Sequence, residues 1–106
     1  MDTEIENEII EKGLTAPRIV PQRIDDVIID ETYYIFPNTT VTVCLLTLEN
    51  GFNVIGESAC ASPENFDEDI GRKVAKNDAK SKIWNLEGYL LKEILHNRKK
   101  DGYDVR

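Results

Sequence analysis

The amino-acid sequence predicts an α+β fold: two short N-terminal helices, then a three-stranded antiparallel meander, then one long C-terminal helix packed on the sheet. Capping signals and helix-type spacing of apolar residues occupy residues 1–30, β-branched and aromatic residues are concentrated in residues 31–60, and a helical pattern runs over residues 63–98. A chain of 106 residues is long enough for one domain and too short for two. We therefore expect a single domain, residues 1–106, with a frayed polar tail over residues 99–106.

The composition favours a folded globular protein that stays in the cytoplasm of the cell that makes it. Hydrophobic residues make up 41% of the chain and charged residues 31%, which is unlike the composition of a disordered segment. No run approaches the roughly 18 consecutive apolar residues of a membrane span. The acidic start, Met1 to Glu4, also lacks the positive charge of a signal peptide. We therefore expect no membrane association.

The net charge of the whole chain is -7, and the excess of negative charge lies in its first half. Residues 1–53 contain ten acidic and three basic residues, whereas residues 54–106 contain ten of each. An acidic chain repels phosphate backbones unless a local basic strip overrides the field, so nucleic acid is disfavoured as a partner. A basic protein partner suits this charge better.

Two helices are expected before the sheet. The capping-box pattern that starts at Thr3 and the cap-forming Gly13 predict a first helix over residues 3–12. Pro21 suits the first turn of a second helix, which we expect to end near Asp30. The apolar stripe of this second helix is formed by Ile24, Val27 and Ile28.

Three strands are expected next, joined as an antiparallel meander. Residues 32–36, 39–48 and 52–60 are rich in β-branched and aromatic side chains, and Asn50-Gly51 is typical of a two-residue type I′ turn. One face of the central hairpin is then formed by Val41, Val43, Leu45, Phe52 and Val54, and the other by Cys44, Leu46, Leu48 and Ile55. Because both faces are apolar, we expect something to cover each of them.

The same turn predicts the state of the two cysteines. A two-residue loop places Leu48 opposite Asn53 and Cys44 opposite Glu57, so Cys44 and Cys60 lie on opposite faces of the sheet. We therefore expect two reduced thiols and no disulfide. Zinc needs about four ligands, and two cysteines with one histidine do not supply them, so no metal site is predicted.

The C-terminal helix is expected to begin at Pro63, after an N-cap at Ser62, with acidic residues in its first turn. Its apolar residues fall on two sides. One seam consists of Ala75, Ala79, Ile83, Leu86, Leu90 and Ile94, and the other of Phe66, Ile70, Val74, Trp84, Leu91 and Leu95. The sheet can cover one seam, so we expect the N-terminal helices or a second copy of the chain to cover the other. This expectation favours a homo-oligomer, a dimer or higher.

A strip of cations on this helix is the first candidate binding site. Lys73, Lys76 and Lys80 lie within about 60° of one another around the helix, and Arg98 returns to the same strip. The strip suits a phosphate or an acidic partner. It is better explained by acid–base pairs that support a solvated helix. The pairs expected at i,i+4 spacing are Glu68–Arg72, Asp69–Lys73 and Asp78–Lys82.

The sequence contains no arrangement that predicts catalysis. The single histidine, His96, lies near the end of the long helix, where a cation is favoured, and no spacing links it to a catalytic partner. Neither a phosphate-binding loop nor a dinucleotide-binding glycine motif is present. The acidic residues within 64–69 suit the positive end of a helix dipole and lack the spacing of a calcium loop. We therefore expect neither an enzyme activity nor a cofactor.

Several blocks of the sequence together resemble one protein family. They are residues 46–52 (LTLENGF), 56–60 (GESAC), 63–67 (PENFD), 71–73 (GRK) and 84–90 (WNLEGYL), preceded by 13–18 (GLTAPR) and Pro21. In this order and at these separations, over about residues 9–95, the chain resembles the phage gp forty-nine family of small tailed-phage and prophage proteins. One departure is Val20, where members tend to carry a threonine that caps the following helix, so that helix is expected to begin less sharply.

The resemblance implies a phage or prophage origin, an accessory role outside the virion structure, and action in the cytoplasm of the infected bacterium. It implies no established catalytic role, and it assigns no catalytic residues. Small phage accessory proteins often block host or defence proteins, which is an association and not a mechanism. This association, together with the acidic first half of the chain and the two apolar sides of the long helix, leads to our first hypothesis. The protein is a binding protein that inhibits a host or anti-phage defence protein.

Two alternatives stay open. In the first, an oligomer sequesters a nucleotide signal at a subunit boundary, with phosphate on Arg or Lys near a helix start and the base on an aromatic ring. The candidate residues for a partner or for this ligand are Asn65, Phe66, Arg72, Lys73, Lys76, Lys80 and Trp84. In the second, the order of elements loosely resembles double-stranded RNA-binding domains, although the acidic balance opposes nucleic-acid binding.

Overall fold

The computed structural model describes residues 3–14 and 16–100 and confirms the α+β fold. Its elements are α1 (Thr3–Glu11), α2 (Pro21–Asp26), β1 (Ile28–Ile35), β2 (Val41–Leu48), β3 (Asn53–Ala59), one 3₁₀ turn (Pro63–Asn65) and α3 (Glu68–Lys100). The strands form one antiparallel sheet in the order β1-β2-β3, and α3 packs across one face of it. The helix includes residues 99 and 100, and the rest of the expected tail, residues 101–106, lies outside the described residues.

The first helix ends as predicted, at a glycine cap. Gly13 has φ of 66°, a left-handed conformation that glycine adopts without strain. Its N–H donates to the Ile10 carbonyl at 3.0 Å, and the Leu14 N–H donates to the Ile9 carbonyl at 3.1 Å. These two bonds satisfy carbonyls that the end of the helix would leave unpaired, which is the bonding of a Schellman motif.

The second helix is shorter and the first strand longer than predicted. α2 ends at Asp26, not near Asp30, and β1 begins at Ile28, not at residue 32. Pairing with β2 explains the correction, because Ile28 lies opposite Leu48 and the whole of β2 then has a partner strand. The β-branched side chains at the start of β1 suit a strand better than a helix. At the other end of α2, the Val20 side chain makes no capping bond, as its apolar character predicts.

The hairpin between β2 and β3 has a three-residue loop, so the predicted type I′ turn is wrong. Gly51 has φ of 87°, but Asn50 lacks the positive φ that a type I′ turn requires. The Gly51 N–H donates to the Leu48 carbonyl at 2.8 Å, and the Leu48 N–H donates to the Phe52 carbonyl at 2.9 Å. This is the bonding of a turn followed by a left-handed glycine, which inserts one more residue into the loop.

The extra loop residue moves every side chain of β3 to the face opposite the predicted one. Asn53 pairs with Thr47 instead of Leu48, and Cys44 pairs with Gly56 instead of Glu57. A one-residue slip exchanges the two faces of a strand. The side chains of β3 assigned to the wrong face were Val54, which is buried beside Leu46, and Ile55, which is 51% exposed. Cys44 and Cys60 are free thiols, as predicted. Their predicted placement on opposite faces is wrong, because Cys44 pairs with Gly56 and strand alternation then puts position 60 on the same side as Cys44.

α3 begins five residues later than predicted. The Ser62 hydroxyl donates to the Glu64 carboxylate at 2.7 Å, and it accepts no backbone N–H as an N-cap would. Residues 63–65 form the 3₁₀ turn, Phe66 is extended, and the Asp67 carboxylate accepts the N–H of Ile70 at 2.9 Å. An acidic side chain in this position satisfies a free N–H at the helix start, so Asp67 is the effective cap of α3.

The core is a thin layer between α3 and one face of the sheet. Its buried apolar members are Ile24, Val27, Cys44, Leu46, Leu48, Val54, Ala75, Ala79 and Ile83. A Cβ atom built on Gly56 would lie 2.1 Å from the Ala75 carbonyl oxygen and 2.3 Å from the Ala79 nitrogen. Helix and strand therefore approach each other closely at Gly56.

The two apolar seams of α3 are covered only in part. Ala75, Ala79 and Ile83 of the first seam are buried, but its continuation at Leu86 and Leu90 is 43% and 48% exposed. In the second seam, Ile70 and Val74 are exposed. The half-buried residues of the second seam are Phe66, Trp84, Leu91 and Leu95. The N-terminal segment thus covers a part of α3 only, since residues 18–20 lie beside the C-terminal half of the helix.

Gly56→Ala should destabilise the protein by about 3 kcal/mol, because an inserted methyl group would overlap the α3 backbone and force the helix off the sheet. The measurement is the free energy of unfolding from urea titration. Gly88→Ala is the matched control: no atom lies within 4 Å of a Cβ at Gly88, so it should be neutral or slightly stabilising. Equal stability of the two variants would contradict the close contact.

Tyr33→Phe should flatten the loss of stability at alkaline pH. Burial, followed by the neighbouring Cys44, raises the pKa of Tyr33 from 10.0 to about 12. The folded state therefore keeps the phenol proton that the unfolded state loses, and stability falls as pH rises from 10 towards 12. Urea titrations across this range should show a smaller decrease for Tyr33→Phe than for Tyr34→Phe, whose ring is 54% exposed. Identical pH profiles would rule out this role for Tyr33.

Candidate functional site

The candidate residues predicted from the sequence occupy three separate places. Asn65 and Phe66 lie before the start of α3, Arg72, Lys73 and Lys76 lie beside β1, and Lys80 and Trp84 face α2. The structure therefore does not bring them together within one chain.

The cations beside β1 line a groove of about 360 Å³ with Glu31, Tyr33 and Asp69. The Lys76 ammonium lies 2.6 Å from the Glu31 carboxylate, and the Arg72 guanidinium pairs with Asp69. Lys73 makes no ion pair with any described residue and is exposed. The groove therefore contains one cation whose charge is not offset by a bonded carboxylate.

Of the three predicted i,i+4 pairs, one is present. Arg72 contacts Glu68 at 3.7 Å, as predicted, but Asp69 pairs with Arg72 instead of Lys73. The predicted pair of Asp78 and Lys82 does not form. The Asp78 carboxylate accepts the Glu57 N–H at 2.9 Å, and the Lys82 ammonium donates to the Ile55 carbonyl at 2.6 Å. Both side chains bind the sheet, because α3 lies close enough for them to reach it.

The largest groove, about 490 Å³, lies between α2 and α3. Its lining residues are Pro21, Ile24, Asp25, Asn77, Lys80, Ser81, Trp84 and Asn85. Lys80 pairs with Asp25 across it at 2.8 Å, and Trp84 is half-buried. An indole face beside two carboxamides can stack a flat ring and hydrogen-bond its edge, so the groove is suited to a planar polar ligand.

The groove at Asn65 and Phe66 is the smallest of the three. It measures about 160 Å³ and runs between the end of β3 and the start of α3. The Phe66 ring lies 3.4 Å from the position that a Cβ on Gly71 would take. At the neighbouring turn, the hydrogen bond from Ser62 lowers the pKa of Glu64. A space of this size holds a side chain and not a nucleotide.

A further candidate surface is the outer face of the sheet, opposite α3. Its apolar side chains are Tyr34, Phe36, Val41, Val43, Leu45 and Ile55. The rings of Tyr34 and Phe36 meet edge to face with centroids 4.9 Å apart, and they are 54% and 45% exposed. The sequence indicated that this face needs a cover, but the predicted register assigned it the wrong residues of β3.

Two acidic side chains lie at the margin of this outer face. Asp30 lies on it at one end of β1, and Glu57 pairs with Val43 on β3. No lysine or arginine occupies a strand position on this face within the described residues. The face therefore combines an apolar centre with a negative rim.

The described part of the chain contains neither a metal-binding cluster nor a membrane-spanning helix. No group of three or more His, Cys, Asp or Glu side chains there is arranged to hold a metal ion. Within residues 3–14 and 16–100, no helix has the length and apolar character of a transmembrane span.

Comparison with known proteins supports the resemblance seen in the sequence. The family model described as Phage protein (N4 Gp49/phage Sf6 gene 66) matches residues 19–95, which include α2, the whole sheet and most of α3. Neither the curated proteins nor the solved structures yielded a match. Since the family model covers well over half of the chain, this phage protein belongs to the Phage protein (N4 Gp49/phage Sf6 gene 66) family.

Proposed function

We propose that this phage protein is an accessory protein that binds and inhibits a basic host or anti-phage defence protein in the cytoplasm of the infected bacterium. The observation that supports this proposal is the uncovered outer face of the sheet. Apolar and aromatic side chains on adjacent strands are normally covered, and a contiguous exposed patch of them is typical of an interaction site. Aromatic side chains such as Tyr34 and Phe36 are also common at the centres of interfaces.

The charge around this face determines the chemistry of the partner. Asp30 and Glu57 supply negative charge at its rim, and β1 and β2 come from the half of the chain that holds the excess acid. A partner with lysine or arginine around an apolar centre would meet complementary charge at Asp30 and Glu57. Such complementarity speeds association and excludes acidic proteins.

The double variant Tyr34→Ala/Phe36→Ala should lose the partner. Immobilised wild type is incubated with extract from bacteria that carry intact phage-defence systems, and the retained proteins are identified by mass spectrometry. We expect a basic protein that wild type retains more at low salt than at high salt, and that the double variant retains at least tenfold less, because the central aromatic contacts are gone.

Tyr89→Ala is the matched control, because it removes an aromatic side chain that is 71% exposed on α3, away from the sheet. It should retain as much partner as wild type. Circular dichroism would establish that all the variants are folded. The proposal is wrong if wild type retains no host or defence protein at any salt concentration, or if the double variant retains the partner as well as the control does.

The second candidate function is the sequestration of a nucleotide signal by an oligomer. It is favoured by the groove at Trp84, whose indole ring and carboxamides suit a nucleobase. A phosphate would need cations such as Arg72 and Lys73, which lie in a different groove of the same chain. This function therefore requires that a second copy bring the two sets of residues together.

Arg72→Ala should abolish ligand-induced stabilisation if the nucleotide hypothesis is right. Wild type is heated with cyclic nucleotides or ADP-ribose derivatives, and the expected result is a rise in Tm of several degrees. Lys92→Ala removes an exposed cation elsewhere on α3 and should keep the rise. The hypothesis is excluded if no nucleotide shifts the wild-type Tm, or if Arg72→Ala responds as wild type does.

Binding of nucleic acid is the weakest of the three functions. Two cations of the helical strip already pair with carboxylates of the same chain, Lys76 with Glu31 and Lys80 with Asp25, and the neighbouring Arg72 pairs with Asp69. A phosphate backbone would have to displace those carboxylates, in a field that is negative overall. A gel-shift titration at low salt distinguishes this function from the others.

A further inference from the structure

The two edges of the sheet differ in whether their backbone groups are available. In the β2–β3 hairpin, the Leu48 N–H donates to the Phe52 carbonyl, and hydrogen-bonded and non-hydrogen-bonded residue pairs alternate from there along the two strands. Ile55 and Glu57 fall in non-hydrogen-bonded pairs, so their backbone N–H and C=O groups point away from β2. Asp78 accepts the Glu57 N–H and Lys82 donates to the Ile55 carbonyl. Side chains of α3 thus occupy the outer edge of β3, which prevents another strand from pairing there.

The outer edge of β1 is open. The Phe36 N–H donates to the Val41 carbonyl at 3.1 Å, so every second residue of β1, counted from Phe36, directs its backbone groups towards β2. The N–H and C=O groups that point away from β2 are therefore those of Glu31, Tyr33 and Ile35. None of these groups has a hydrogen-bond partner within the described residues. An unpaired row of this kind is a template for a further strand.

We propose that β1 pairs with β1 of a second copy, antiparallel and centred on Tyr33, to form a six-stranded sheet across two chains. In this register Tyr33 lies opposite Tyr33 of the second copy, and Glu31 lies opposite Ile35 of the second copy. All three outward residues then exchange both backbone hydrogen bonds with the other chain. The interaction is symmetric, as the interface of a two-fold dimer must be.

Charge complementarity favours a second copy as the occupant of this edge. Lys76 bonds to Glu31, and Gly71 lies against Thr42, which pairs with Ile35. α3 therefore crosses β2 and β3 in the direction that leads from the Ile35 end of β1 towards Glu31. Lys73, the cation without an ion pair, projects into the groove beside this edge. Antiparallel pairing brings Glu31 of the second copy to the Ile35 end, beside this lysine.

The open edge and the outer face of the sheet are continuous, because Tyr34 of the outer face lies on β1. Pairing at β1 would also join the outer faces of two sheets into one surface, which presents the proposed partner-binding face twice.

Reversing charge at the proposed contact tests the pairing. Wild type should have the mass of two chains, or of an even multiple, in multi-angle light scattering. Glu31→Lys would meet Lys73 of the other chain and should weaken association at least tenfold. Adding Lys73→Glu to the same chain restores opposite charges across the interface and should restore the wild-type mass. Glu93→Lys, the same reversal at an exposed position of α3, should leave the mass unchanged.

Amide hydrogen exchange locates the interface independently of mass. In the wild type, the N–H groups of Glu31, Tyr33 and Ile35 should exchange slowly, and in Glu31→Lys they should exchange at least tenfold faster while the amides that join β1 to β2 stay protected. Protection of those inner amides also shows that the variant is folded. A monomeric wild type, a Glu31→Lys variant that keeps the wild-type mass, or an oligomer whose outward β1 amides exchange rapidly would overturn the inference.

Discussion

The structure depends on a direct contact between the backbones of α3 and β3. Gly56 lies so close to Ala75 and Ala79 that no side chain fits between strand and helix. The contact needs a glycine on the helix-facing side of the strand and two alanines four residues apart on one side of the helix. Once it forms, α3 covers that face alone, and the apolar outer face of the sheet is left without a covering element in the described chain.

The same closeness explains why one edge of the sheet is closed and the other open. α3 lies near enough to β3 for Asp78 and Lys82 to bind its outward backbone groups. On the opposite side, Lys76 binds the Glu31 side chain instead of the strand backbone. A bond to a carboxylate leaves the backbone donors and acceptors of β1 unsatisfied, so the helix protects one edge strand and not the other.

Local signals in the sequence were enough to predict the type and order of the helices and strands, but not how the strands pair. Gly13 and Pro21 mark helix ends by their own backbone preferences, so these positions were predictable. The pair Asn50-Gly51 suits both a two-residue and a three-residue loop, and choosing the wrong one moved β3 by one residue. The start of β1 was missed because it is determined by pairing with distant β2 residues, which no local pattern encodes.

The candidate site was also predictable only in part: the positions of its cations on the helix could be predicted, but their partners could not. Helical spacing correctly indicated that Lys76 and Lys80 lie on one strip, yet their carboxylate partners come from β1 and α2 and not from α3 itself. These ion pairs tie the helix to the two elements that flank it, so the middle of the strip is engaged in holding the fold together. Exposed pairs of this kind each contribute only about 0.2–1 kcal/mol, but they leave few cations for an acidic ligand. The surface left uncovered is then the outer face of the sheet, whose apolar side chains, with Asp30 and Glu57 at the margin, support the proposal of a basic protein partner.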